Sequence, residues 1–289
     1  MNLCDIRDIK ALLGRHGFHF SKSMGQNFLI EEWVPRDIAE ASGADKQHAV
    51  LEIGPGIGPL TQQLCQRAAR VTAVELDKAL YPVLAETMAD VDNFTLIPGD
   101  IMKLNIAQLV DEQFEGLTPL VCANLPYNIT TPVLTALVES HRFESITVMI
   151  QREVALRIAA KPGTGDYGAF SLFMQYYTEP EVLFDVPPEC FLPAPKVTSA
   201  VLHCRVRKTP AVSPVCGEEF FFRTVRAAFA QRRKTLLNSL SSVFGGQLSK
   251  DTIASIIEDC GFAPTVRGER LGLEEFATLA DRLYQALRA

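Results

Sequence analysis

VLEIGPGIGPLT, residues 50 to 61, decides the architecture of this chain. An apolar, strand-like run ends in Gly54, Gly56 and Gly58, and a helix-like stretch, PLTQQLCQRA, begins at once. Glycines at such a junction let the backbone turn sharply and approach a ligand closely, with the amide groups of a helix N-terminus at hand. The dinucleotide-binding fingerprint spaces its glycines GxGxxG. Here the spacing is GxGxG with the acidic Glu52 in front, which argues against a nicotinamide cofactor.

The same alternation continues outward from this turn. RVTAVEL is followed by KALYPVLAETMA, then come NFTLIPG, PLVCANL and ESITVMIQ. Strands alternating with helices predict βαβ units, hence an α/β fold with a mainly parallel sheet covered on both faces. EVLFDV and SAVLHCRV, with less helix between them, predict an antiparallel hairpin at one sheet edge. KTPAVSPVCG, residues 208 to 217, has the proline content of a linker. Beyond it the pattern is helical only: EEFFFRTVRAAFAQRRKTLLNSL, then SKDTIASIIEDCG with Ser249 as N-cap and Gly261 as stop, then LEEFATLADRLYQAL. The expected domains are residues 1–207, carrying an N-terminal arm, and a small all-α domain over 208–289.

Composition narrows the function classes. Hydrophobic residues are 47% and charged residues 21% of the 289, which is ordinary for a globular protein and excludes a disordered or fibrous chain. No apolar run approaches the roughly 18 residues of a membrane span. The N-terminus lacks the apolar core of a secretory signal, so a cytoplasmic location is expected. Seven cysteines, scattered and never spaced CxxC, read as buried thiols in a reducing compartment. The histidines show no ligand spacing, and no metal is expected. A net charge of −6 argues at first against nucleic acid, but the charge is uneven. Between 205 and 234 stand Arg205, Arg207, Lys208, Arg223, Arg226, Arg232, Arg233 and Lys234, opposed only by Glu218 and Glu219. Lys10, Arg15 and Lys22 add to this in the N-terminal arm.

Two carboxylates follow strands beside the glycine turn. Glu75 closes RVTAVE, where it can accept bonds from both ribose hydroxyls of an adenosine. Asp100, in PGDIM, occupies the equivalent place after the next strand. It can accept a hydrogen from an adenine amino group while Leu76 and Ile101 cover the ring faces.

EIGPGIG, VELD, GDI and NLPY, in that order and spacing, resemble the S-adenosylmethionine-dependent methyltransferases with the Rossmann-like seven-stranded sheet. MGQNFL (24–29), FLPAPKVTSAVL (191–202) and AFAQRRKTLLNSL (228–240) narrow the resemblance to the bacterial small-subunit ribosomal RNA adenine dimethyltransferases, from about residue 18 to the end. LGLEEFATLA fits that family better than its relatives acting on large-subunit RNA. The resemblance implies that Gln26, Asn27 and Leu29 also line the S-adenosylmethionine pocket with Gly54 and Gly56, and that Phe191 covers one face of a target adenine. It implies as partners the small ribosomal subunit and its 16S ribosomal RNA, near whose 3′ end two adjacent adenosines of a hairpin loop would be dimethylated. The departures are Met24, where a bulkier or branched residue is usual, and Pro59 after the glycine turn.

NLPYNIT, residues 124 to 130, contains no acid and no nucleophile, and this chemistry needs neither. The exocyclic amine of adenine is a poor nucleophile because its lone pair is delocalised into the ring. Two acceptors that bond its hydrogens favour a pyramidal nitrogen, and Asn124 supplies one through its side-chain carbonyl. The backbone carbonyl of Leu125 or of Pro126 supplies the other, with proline's fixed φ holding it in place. Tyr127 offers an aromatic face on which the base can stack. Farther along, Arg226, Arg232, Arg233 and Lys234 interleave with an inward stripe of Phe222, Val225 and Phe229, and are expected to contact phosphates. A monomer is expected. The rival readings are a DNA adenine methyltransferase, an oxidoreductase that would leave NLPY unexplained, and a ribosome-assembly factor whose binding matters more than its turnover.

Overall fold

The computed structural model of the chain describes residues 1–18, 26–231 and 233–288. Contacts among them divide the chain into two units, residues 1–155 with 180–206, and residues 156–179 with 207–289. The sequence places 156–179 in the amino-terminal part. The structure groups them with the helices that follow residue 207.

In the first unit, α1 (Ile6–Arg15), capped by the Asp5 carboxylate, leads to a short strand β1 (Phe28–Leu29) and to α2 (Trp33–Ala41). The strand that opens on the glycine turn is β2 (His48–Ile53), buried from Ala49 onward. A strand buried along most of its length and apolar but for Glu52 suits the middle of a parallel sheet with both faces covered. After α3 (Pro59–Arg67) come β3 (Arg70–Glu75), α4 (Tyr81–Thr87), β4 (Phe94–Pro98), α5 (Ile106–Gln113), β5 (Thr118–Asn124), α6 (Thr130–Glu139) and β6 (Ser145–Gln151). KALYPVLAETMA is therefore a 3-10 turn, Lys78–Leu80, followed by a shorter helix than its sequence predicts. The Asp77 carboxylate caps the 3-10 turn at Ala79 N–H, and Pro82 begins the helix proper.

Between β6 and the last strands lie α7 (Arg152–Ile158) and α8 (Ala169–Tyr177). They are followed by β7 (Thr178–Val186), the two-residue β8 (Phe191–Leu192) and β9 (Ser199–Val206). Among the described residues one sheet has seven strands in the order β4-β3-β2-β5-β6-β9-β7, and β1 pairs with β8 in a second, two-stranded sheet. β2 through β6 run parallel, and β9 is antiparallel to β6 with Ser199 opposite Gln151. β7 alternates buried and exposed positions, as a strand at a sheet edge does. The strand order reverses between β2 and β5, the topological switch point where ligands bind open α/β sheets.

The second unit closes on aromatic side chains. Its helices after residue 207 are α9 (Glu218–Phe229), α10 (Leu236–Phe244), α11 (Lys250–Asp259) and α12 (Leu273–Ala286). Tyr176 stacks on Phe221 at 5.2 Å between centroids, and Phe229 meets Tyr167 and Phe276 at 6.2 and 5.9 Å. Phe222 and Val225 are buried and Phe229 half-buried, which is the inward stripe the sequence predicts. The continuous helix implied by EEFFFRTVRAAFAQRRKTLLNSL is a correction: it breaks after Phe229 and resumes at Leu236. Thr235 takes an extended backbone and its hydroxyl accepts from Asn238 N–H, so a capping residue begins a new helix there. Ser249 caps α11 as expected, and Gly261 follows its end with φ +86°.

Candidate active site

The cavity at the switch point is assembled from the carboxyl ends of four neighbouring strands, β4, β3, β2 and β5, and the arm that precedes α2. After β2 the chain passes through Gly54 at φ +68°, Gly56 at +62° and Gly58 at +95° before entering α3 with Pro59 at its first turn. A Cβ on Gly56 would lie 3.4 Å from the Phe28 ring, so its lack of a side chain permits both the turn and the close approach of the arm. The Gly56 amide reaches Oε2 of Glu75 at 3.4 Å.

Glu75, the last residue of β3, is 6% exposed, and burial pushes its carboxyl above the usual range. Its Oε1 accepts from Asp77 N–H at 2.7 Å. Asp77 in turn accepts from the Gln26 side-chain amide at 2.7 Å, which ties the N-terminal arm to the loop after β3. At the end of β4 the Asp100 carboxylate accepts from Met102 N–H at 3.0 Å and caps a 3-10 turn that begins with the buried Ile101. Leu76 is 52% exposed, which is unusual for so large an apolar side chain in a cavity lining. Two apolar side chains therefore flank the same space, one buried and one open.

Glu52 is the residue whose part the sequence reading missed. It had marked only an acid before the glycines, yet Glu52 lines the cavity at 1% exposure, and its Oε2 has no hydrogen-bond partner among the described residues. Burial, with the Glu75 charge adding to it, pushes the carboxyl up to about 8. A buried carboxyl oxygen left unpaired is costly, and it suits a site that receives a hydrogen-bonding or cationic group. The composition of β2 carries one signal, since a glutamate interrupts an otherwise apolar run.

Asn124 ends β5, opposite Met149 of β6, and Leu125 N–H continues the ladder to the Met149 carbonyl at 3.1 Å. The sequence leaves Leu125 and Pro126 open as backbone acceptor, and the two carbonyls differ in their hydrogen bonding. The Pro126 carbonyl already accepts from Ile129 N–H at 3.2 Å and from the Thr130 hydroxyl at 3.3 Å. The Leu125 carbonyl accepts no hydrogen bond among the described residues. Tyr127 opens a 3-10 turn, Tyr127–Ile129, and its hydroxyl pairs with Ser199 Oγ at 2.6 Å. Phe191, 3% exposed, belongs to β8, which pairs antiparallel with β1 so that Leu29 faces Phe191. Gln26, Asn27, Leu29, Gly54, Gly56, Glu75, Leu76, Asp100, Ile101, Asn124, Leu125, Pro126, Tyr127 and Phe191 all line this one cavity. Asp77, Asn128 and Ile129 line it too and were not predicted.

The basic residues belong to the second unit. Arg226 lies on the exposed face of α9, and Arg233 and Lys234 are exposed in the turn before α10, off the helix where the sequence reading had put them. Lys22, Met24 and Arg232 lie outside the described residues. In the first unit, Arg15 is held by Glu86. Among the described residues no group of three or more His, Cys, Asp or Glu side chains could hold a metal ion, and no helix is long and apolar enough to cross a membrane.

Known proteins give this geometry a context. A profile of the family described as ribosomal RNA adenine dimethylase matches residues 17–262. The ribosomal RNA small subunit methyltransferase A of Streptococcus sanguinis is 48% identical over 286 residues, 98% of each chain. That of Shouchella clausii is 46% identical over 280 residues, 96% of this chain and 94% of the other. Among solved structures, the 23S rRNA methyltransferase ErmE aligns with a TM-score of 0.68 at 25% identity, covering 89% of this chain and 99% of that one. A dimethyladenosine transferase from Plasmodium falciparum shares the fold, with a TM-score of 0.71 at 22% identity over 87% of this chain and 95% of its own.

Proposed function

Because the chain belongs to the ribosomal RNA adenine dimethylase family, we propose that its cavity holds S-adenosylmethionine and presents the N6 amine of adenosines in small-subunit ribosomal RNA to it. The enzyme is an S-adenosylmethionine-dependent ribosomal RNA adenine dimethyltransferase. The finer reading is that two adjacent adenosines in a hairpin loop near the 3′ end are dimethylated during ribosome assembly, by a monomer in the cytoplasm. The observation that carries the reading is the convergence, on one cavity at the switch point, of the glycine turn with Asn124 and the open Leu125 carbonyl.

The residues fit the cofactor. Gly54 and Gly56 leave room for close approach by a ligand, and Glu75 stands where ribose hydroxyls can be accepted. Leu76 and Ile101 flank an adenine-sized space, and the Asp100 carboxylate, whose Oδ2 has Lys103 Nζ no nearer than 3.9 Å, suits its amino group. Glu52 Oε2, buried without a partner, suits the ammonium of the methionyl part. When bound, S-adenosylmethionine supplies an electrophilic methyl on sulfur.

The chain's own residues prepare the amine. The Asn124 side-chain carbonyl and the Leu125 carbonyl accept its two hydrogens and favour a pyramidal nitrogen with an available lone pair. Such preorganised acceptors act without reorganising during the reaction. Pro126 cannot share this task, because its carbonyl is engaged by Ile129 and Thr130, and that engagement stiffens the turn. Tyr127 and Phe191 supply aromatic faces for the extruded base, each worth roughly 1–3 kcal/mol of stacking. Arg226, Arg232, Arg233 and Lys234 contact phosphates.

The test is transfer of labelled methyl to unmethylated small ribosomal subunits, with large subunits, free RNA and DNA as parallel acceptors. Label confined to small subunits and recovered as N6-dimethyladenosine is the expected result. Label on DNA or large subunits would overturn the substrate, and no label anywhere would put binding ahead of turnover. Asn124→Ala is expected to lose turnover by about 10²-fold or more with cofactor affinity nearly unchanged, as for removal of one preorganised hydrogen-bonding group. Parental turnover in that variant would remove Asn124 from the mechanism.

A further inference from the structure

The backbone at Tyr127 is held by bonds to the Pro126 carbonyl, and its ring is held separately. Its 3-10 turn spans only Tyr127–Ile129 and is closed by the bond from Ile129 N–H to the Pro126 carbonyl. What anchors the ring is its far end, where the hydroxyl pairs with Ser199 Oγ at 2.6 Å. Burial pushes the phenol above its ordinary range, so it stays a neutral hydroxyl that needs a partner.

Ser199, by contrast, is fixed from every side. It is 0% exposed and is the first residue of β9, in register with Gln151 of β6. Directly before it, the Thr198 carbonyl accepts from Arg152 N–H at 3.0 Å, just beyond the end of β6. Ser199 also terminates the loop that starts at Phe191, the other aromatic residue of the cavity. The sheet therefore hydrogen-bonds the far end of the Tyr127 ring through the Ser199 hydroxyl.

We propose that Ser199 is a positioning residue for the reaction: its hydroxyl locks the Tyr127 ring in the orientation that receives the target adenine. This rests on the reading of Tyr127 as a base platform given above. Without the Ser199 hydroxyl, the Tyr127 side chain regains rotamers that turn its face away from the base, and the buried phenol is left unpaired. The cofactor side of the cavity, built on β2, β3 and β4, is untouched by that change.

The experiment is a double-mutant cycle of Ser199→Ala and Tyr127→Phe in the full chain, assayed on unmethylated small subunits, with S-adenosylmethionine affinity measured by calorimetry. Each single variant removes the same hydrogen bond from one side. Each is expected to lower kcat/KM for the RNA particle by about tenfold, the worth of about one hydrogen bond, with parental cofactor affinity. The double variant is expected to be no worse than either single one. Parental kcat/KM in Ser199→Ala, multiplying losses in the double variant, or an equal loss of cofactor affinity would each overturn the proposal. A parent protein inactive on every acceptor would instead remove the underlying reading of the site, and the proposal with it.

Discussion

Glu52 and Leu125 illustrate what single residues contribute. Glu52 is held at 1% exposure, and its carboxyl rises from an ordinary 4.5 to about 8, chiefly through burial. Below the lower value the group is protonated whether the chain is folded or unfolded, and its contribution to stability is fully present. As pH rises toward the upper value, the unfolded chain ionises freely while the folded chain keeps its proton, so stability is progressively lost. At about 1.4 kcal/mol per tenfold in proton affinity, this is on the order of a few kcal/mol. Glu52→Gln is therefore expected to flatten the fall in melting temperature of the free protein between about pH 4.5 and pH 8, and to melt above the parent at the alkaline end. Glu75, also pushed up by burial, remains in the variant and keeps part of the slope. Parallel melting profiles for the two proteins would show that Glu52 does not carry the shift. Asn124 and Tyr127 were legible in the sequence because NLPY follows a strand at the right distance from the glycines. The choice of Leu125 over Pro126 was not, because it depends on which carbonyl Ile129 and Thr130 engage.

At the scale of elements, the glycine turn and the helix break show two kinds of local control. Gly56 combines φ +62° with a neighbour, Phe28, 3.4 Å from where its Cβ would stand. An L-residue in that conformation costs about 1–2 kcal/mol. Gly56→Ala should lower the melting temperature and weaken S-adenosylmethionine binding by about tenfold, as measured by calorimetry. Gly14→Ala in α1 is the control, since nothing lies within 4 Å of the added methyl and its φ is not left-handed. It should stabilise by up to about 1 kcal/mol through helix propensity alone. If both variants bound the cofactor like the parent, the turn would not be a cradle. The strands around the turn were readable because parallel strands buried on both faces are short continuous apolar runs. The break between α9 and α10 was harder to see, since the 228–240 stretch keeps helical periodicity across it. The decision lies with the cap at Thr235 and with the bond from Leu236 N–H to the Val266 carbonyl, a partner distant in sequence.

Over the whole molecule, a net charge of −6 coexists with a basic segment in the helical unit. Arg233 and Lys234 are exposed, and among the described residues neither holds an ion pair, so they are available to phosphates. Replacing both with alanine is expected to weaken binding of small subunits and to reduce the slope of log affinity against log salt by about 0.7–0.9 for each lost contact. Methyl transfer at saturating substrate should change little. An unchanged slope would place the RNA on another surface. The grouping of residues 156–179 with the C-terminal helices also belongs to this scale. Sequence order suggested one boundary near 208, whereas Tyr176 and Tyr167 pack against Phe221 and Phe229, rings some forty to sixty residues later.

The amino-acid sequence by itself determined the α/β class, the mainly parallel sheet, and the places of the glycine turn and of NLPY after their strands. Each is written in local signals: apolar runs, glycine spacing, and acids placed at strand ends. Only the tertiary structure decided that Glu52 is buried with its Oε2 unpaired, that Leu125 keeps the open carbonyl, that the Tyr127 hydroxyl meets Ser199, and that α9 stops at Phe229. The Ser199–Tyr127 and Leu236–Val266 bonds join residues far apart in the chain, the Leu125 carbonyl stays open through bonds made within one short turn, and neither a hydrogen bond nor a buried charge has a periodicity by which a sequence could announce it.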